Sequence, residues 1–91
     1  MQFVLRGQSF DLTVDSVSQA MAGITPQPFA LYAVKIGELW YPPKQVLSVT
    51  TGLPVAAFTT QDAYRIMHRL GFPIVLADTL AASPMATQRP K

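Results

Sequence analysis

Two adjacent prolines, Pro42 and Pro43, set the strictest limit on how this chain can fold. Neither carries a backbone N–H, so neither can sit inside a central strand or in the body of a helix. The residues before them read as a hairpin. "FALYAVKI" (residues 29–36) alternates Phe29, Leu31, Ala33 and Lys35 with Ala30, Tyr32, Val34 and Ile36, a strand pattern rich in aromatic and β-branched side chains. Gly37-Glu38 places glycine first, as a type II′ turn requires, and Leu39, Trp40 and Tyr41 form the return strand. Pro42 must end that strand. Pro43 suits the first turn of a helix, where the missing N–H is not needed. The helix so opened is expected over residues 44–51, burying Val46, Leu47 and either Val49 or Thr50, and closing at Gly52.

The same punctuation orders the rest. Residues 1–12 read as a short strand or hairpin around Arg6-Gly7-Gln8, with Phe3, Leu5, Phe10 and Leu12 apolar. Val14, Val17, Met21 and Ile24 lie on one helical face behind Thr13 or Asp15, with Gly23 as the stop. "TPQP" (residues 25–28) can only be a connecting loop. Residues 53–58 bridge to a further helix, capped by Thr59 or Thr60, whose inner face is Ala63, Ile66, Met67 and Leu70 and whose stop is Gly71. "FPIVLA" (residues 72–77) reads as a last strand. The expected class is α+β, a small sheet with a hairpin and three short helices in the order β-α-β-β-α-α-β. Residues 1–77 form the single domain, and 78–91, which lose all periodicity, are expected as a disordered tail.

Composition excludes several classes of function. There is no cysteine, so disulfides, thiolate metal sites and a cysteine nucleophile are ruled out. His68 is the single histidine and has no acid at helical spacing, and the carboxylates are scattered. No metal site, cofactor or enzymatic activity is expected. No apolar run reaches the roughly 18 residues of a membrane span, nor does the start resemble a signal peptide, so a cytoplasmic protein is expected. Over residues 1–76 the five basic groups, Arg6, Lys35, Lys44, Arg65 and Arg69, face four acidic ones, leaving only +1. Any electrostatic function must come from where these charges cluster.

The junction "LWYPPKQ" (residues 39–45) is where a site is most plausible. Pro42-Pro43 fixes the backbone beside the aromatic pair Trp40-Tyr41, and a helix start near Pro43 presents free N–H groups beside Lys44. Together these would make an anion site with an apolar wall. The plainer alternative is that Trp40 and Tyr41 are hairpin core and rim and the prolines merely end a strand. Arg65 and Arg69, one helical turn apart with His68 nearby, would extend a phosphate-binding strip if their helix packs beside Lys44, or would simply complement the helix dipole. Tyr64 can stack on a base or pack within the domain.

Read together, "YAVKIGELWYPPKQV" and "AYRIMHRLGF" (residues 32–46 and 63–72) resemble the small DNA sulfur-binding domain of McrA-type, modification-dependent restriction endonucleases. The resemblance covers roughly residues 30–74. It implies a non-catalytic module for DNA, phosphorothioate-modified DNA in the sharper form, with sulfur in place of one non-bridging oxygen. Tyr41 and Pro42 would form an apolar notch for the sulfur, Lys44 a phosphate contact, Arg65 the arginine of the last helix and Arg69 a lesser contact. The sequence departs from that pattern in two places. Gln45 stands where a small apolar residue would line the notch, and "TPQPFA" (residues 25–30) carries no basic residue. The other reading, from a different class, is a protein–protein interaction module such as an adaptor, an antitoxin-like protein or a phage-encoded factor, using Trp40, Tyr41 and Met67 as its contact surface.

Overall fold

The computed structural model describes residues 1–29 and 31–81. Their elements follow the expected α+β order. β1 (Gln2–Leu5) and β2 (Gln8–Asp11) come first, then helix α1 (Val14–Met21) and the hairpin of β3 (Tyr32–Ile36) and β4 (Leu39–Tyr41). Helix α2 (Pro43–Thr51), a 3-10 turn (Val55–Ala57), helix α3 (Thr60–Leu70), strand β5 (Ile74–Leu76) and the short helix α4 (Ala77–Ala81) complete the order. The strands form two sheets. β1 and β2 pair only with each other, while β3 lies between β4 and β5, antiparallel to both. Residues 78–81, expected as the start of a disordered tail, are helical. The remainder of that tail, 82–91, lies outside the described residues.

Both hairpin turns have two residues, and their chemistry differs. Gly37 has φ +63° while Glu38 stays at negative φ, the type II′ arrangement expected from glycine in first place. Arg6 and Gly7 both have positive φ, so the first turn is type I′ and Gln8 belongs to β2. Helix α2 opens on Pro43, with Pro42 extended at φ −62° as its N-cap, and ends on left-handed Gly52, whose N–H reaches Ser48 O at 2.9 Å. The expected start at 44 therefore moves back by one residue.

Three helices and the β3–β4 hairpin enclose one apolar core. α1 supplies Val17 and Met21, α2 Val46 and Leu47, and α3 Ala63, Ile66 and Met67, all on the inner faces that their spacing indicates. Of the two alternatives offered for α2, Thr50 is half-buried, with its hydroxyl donating back to Val46 O at 2.8 Å, and Val49 is exposed. No helix among the described residues is long and apolar enough to cross a membrane.

Helices α1 and α3 begin with reciprocal caps. Thr13 Oγ1 accepts from Ser16 N–H while Ser16 Oγ accepts from Thr13 N–H, and Thr59 and Asp62 repeat this. The Thr59 backbone N–H donates to Asp62 Oδ2 at 3.0 Å. That bond, aided by the Thr59 hydroxyl and by Arg65 at 3.0 Å, holds the Asp62 carboxyl below its ordinary 3.8 against a smaller opposing effect of burial. A lowered folded-state value makes the contribution of the cap complete above that ordinary value and lost as the pH falls through the lower one. Urea melts from about pH 5 downward are therefore expected to show an acid-side loss of stability that Asp62→Asn reduces. An unchanged acid limb in Asp62→Asn would assign it to other carboxylates.

Candidate functional site

The junction that the prolines create is held by two side chains four residues apart, Tyr41 from the end of β4 and Gln45 from the first turn of α2. Tyr41 is the last residue of β4 and is buried at 2% exposure. Its hydroxyl donates toward Ile24 O at 2.9 Å and Met21 O at 3.3 Å, and Met21 O also accepts the Ile24 N–H at 3.0 Å. Gln45, buried at 6%, grips the next stretch of the same loop. Its Nε2 donates to Thr25 O and its Oε1 accepts from Gln27 N–H, both at 2.9 Å. "TPQP" has no regular partner for its backbone, so the Gln45 amide takes that role, while Tyr41 fastens the residues just before it. This explains why an aromatic residue and a glutamine flank Pro42-Pro43-Lys44: they fasten the preceding loop beneath the start of α2.

Above them a cleft of about 190 Å³ opens. Pro42, Pro43, Lys44 and Gln45 line it together with Pro28, Leu31, Tyr32, Val55 and Thr60. The walls are mainly apolar. Lys44 supplies the cation, its Nζ 5.9 Å from the centre of the Phe58 ring, within range of a cation–π contact with a buried aromatic residue. Pro43 has no N–H, and Gln45 and Val46 N–H both turn to Pro42 O, so of the first turn only Lys44 N–H is without a partner among the described residues. A ladder of rings leads away from the cleft. Tyr32 meets Tyr64 at 4.7 Å, and Tyr64 stacks on His68 at 5.9 Å with ring planes 7° apart.

Of the expected site residues, this arrangement gathers Pro42, Pro43, Lys44 and Gln45, with His68 joined through the tyrosines. It does not gather the others. Tyr41 does not line this cleft: its ring packs in the apolar core and its hydroxyl is engaged with the loop after α1. Trp40 is half-buried on β4, pairs across the hairpin with Lys35, and does not line the cleft. Arg65 and Arg69 do not extend the Lys44 strip. Each projects about 100° around α3 from its neighbour Tyr64 or His68, and both line a separate cleft with Phe3, Val4 and Leu5. Gln45 does not plug the cleft, since its amide is held in the floor by the loop. Met67, read as a contact residue for a protein partner, is fully buried.

Tyr32 and Thr60 were not singled out from the sequence. The spacing of Thr60, Tyr64 and His68, four residues apart, marks one face of α3, but nothing local indicates that Tyr32 from β3 would meet it. Among the described residues no three His, Asp or Glu side chains group as metal ligands would.

No curated protein and no solved structure matches the chain. The SCO5918-like family model matches it over residues 1–91, and the chain belongs to that family.

Proposed function

We propose that this chain is a non-catalytic module that binds the sugar–phosphate backbone of DNA at the start of α2. The observation that carries the reading is the cleft itself. It centres on Pro42, Pro43 and Lys44, with an ammonium group over Phe58 and an unpaired N–H on the same residue. A phosphate oxygen can take both donors while the sugar rests on the prolines and Tyr32. The ring ladder of Tyr64 and His68 gives a neighbouring base or sugar a flat surface. Ordinary phosphate is the ligand we favour. The reason is that Gln45 sets an amide into the floor of an otherwise mainly apolar cleft and Tyr41 is withdrawn into the core, which favours a hydrogen-bonding oxygen over sulfur there.

Anisotropy titrations of one duplex with and without a stereodefined phosphorothioate, at low salt, test this. Binding is expected to weaken with salt at a slope near −1 to −2, as about one or two phosphate contacts imply. Lys44→Ala is expected to lower affinity about tenfold, or ~1.4 kcal/mol. The two duplexes should differ by less than that. Tenfold preference for sulfur restores the sharper reading, and absence of binding to either removes DNA as the ligand.

A protein partner is the second reading. It is favoured by the apolar side chains exposed at and beside the cleft, Leu31 at 51% and Val55 at 46% on its lining, with Phe29 and Leu76 also exposed. A complex formed there would tolerate salt and be broken by Leu31→Asp, with Lys44→Ala nearly neutral.

A further inference from the structure

A second cleft, of about 230 Å³, separates α3 from β1. Phe3, Val4 and Leu5 line it and no residue of β2 does, so it runs along the outer edge of the first strand. The hydrogen-bond phase of the hairpin shows what that edge offers. Leu5 and Gln8 flank a two-residue turn and form a bonded pair, as Phe3 and Phe10 then do, while Val4–Ser9 and Gln2–Asp11 are the non-bonded pairs between them. The bond from Leu12 N–H to Met1 O at 2.9 Å continues the same phase. Gln2 and Val4 therefore turn their N–H and C=O groups away from β2, and no backbone group among the described residues pairs with them. Val4 is also 65% exposed.

On its α3 side the cleft is lined by Arg65 and Arg69, both exposed, and by one carboxylate, Asp62. Arg65 has one carboxylate contact, to Asp62 at 3.0 Å, and Asp62 is already committed to the cap of α3. Arg69 has no carboxylate partner among the described residues. We propose that this edge receives a further strand, an extended acidic segment of a partner protein. Its backbone pairs with Gln2 and Val4, and its carboxylates meet Arg69 and Arg65. The spacings agree: alternate side chains of a strand recur about every 6.6 Å, and residues four apart on a helix are separated by about 6 Å along its axis. A free strand edge calls for a peptide backbone, with donors and acceptors in alternation, and a nucleic acid does not supply one. The site is independent of the Lys44 cleft.

The test uses labelled ten-residue peptides with glutamate at alternate positions and valine or threonine between, and a counterpart with lysine for glutamate. The glutamate peptides are expected to bind, to protect the Gln2 and Val4 amides from hydrogen exchange at least tenfold, and to leave the Lys44→Ala variant unaffected. Arg69→Glu is expected to weaken binding at least tenfold, with Arg69→Gln intermediate and both variants matching the parent by circular dichroism. Four results overturn the proposal: no binding at millimolar peptide, binding without protection of Gln2 and Val4, equal binding of the lysine peptide, or an undiminished affinity in Arg69→Glu. Self-association of the chain that protects the same amides without peptide overturns it too, by making a second copy the occupant.

Discussion

Tyr41→Ala is expected to destabilise the domain by about 3–5 kcal/mol, the usual range for truncating a buried aromatic side chain. Domains of this size have roughly 5–15 kcal/mol in total, so the variant will be close to unfolding in ordinary buffer. Two contributions combine in that loss: the ring leaves a void among the core side chains, and the carbonyls of Ile24 and Met21 lose the hydroxyl that engages them. Tyr41→Phe separates the two by keeping the ring. It should lower stability by about 1–2 kcal/mol, or roughly 5–15 °C in melting temperature. Thermal melts of the three proteins, with DNA titrations on the two that remain folded, decide the residue's role. A Tyr41→Phe protein of unchanged stability that no longer binds DNA would make the hydroxyl a ligand contact and reverse the assignment made from its burial.

Gln45→Ala carries the second largest effect, about 1–3 kcal/mol for two lost hydrogen bonds at a mostly buried site. The Gln27 N–H and Thr25 carbonyl would then depend on water. The Gln27 amide is expected to exchange with solvent at least tenfold faster, while amides in α3 change only by the global loss of stability. The same substitution removes the amide from the floor of the cleft and leaves room beside Pro42. It is therefore the variant in which a preference for phosphorothioate over phosphate should first emerge, if an apolar floor is what sulfur requires. Equal binding of both duplexes by Gln45→Ala would mean that the floor is not the determinant.

The sequence was most legible where backbone chemistry is local. Pro42-Pro43 forces the strand-to-helix change, glycine in first place sets the Gly37 turn, and the spacing of Ala63, Ile66, Met67 and Leu70 gives the inner face of α3, and each of these elements is found. What stayed hidden depends on partners distant in the chain. Tyr41 read as a possible wall because its ring precedes two prolines, whereas the carbonyls that engage its hydroxyl lie 17 and 20 residues earlier. Gln45 likewise looked like an intruder in a notch until the loop eighteen and twenty residues before it was placed against its amide. The arginines erred for a geometric reason. A one-residue step turns a helix by about 100°, so Arg65 faces β1 although Tyr64, its neighbour, faces β3. The location of the cleft at Pro42 to Gln45 could be read in advance, but not which of its neighbours look into it.

The central place of β3 also bears on how the chain is made. One neighbour, β4, follows it after two residues, but the other, β5, is completed only at Leu76, and Lys35 N–H waits for Pro73 O. During synthesis the hairpin and helices α2 and α3 all leave the ribosome before the strand that closes the sheet. At about 5–20 residues per second, one flank of β3 then stays open for the seconds needed to add some forty residues after it. A nascent chain that has emerged only as far as Gly71 would present most of the core side chains and still lack its third strand. Its vulnerability to association with other nascent chains should therefore end sharply once Leu76 has emerged.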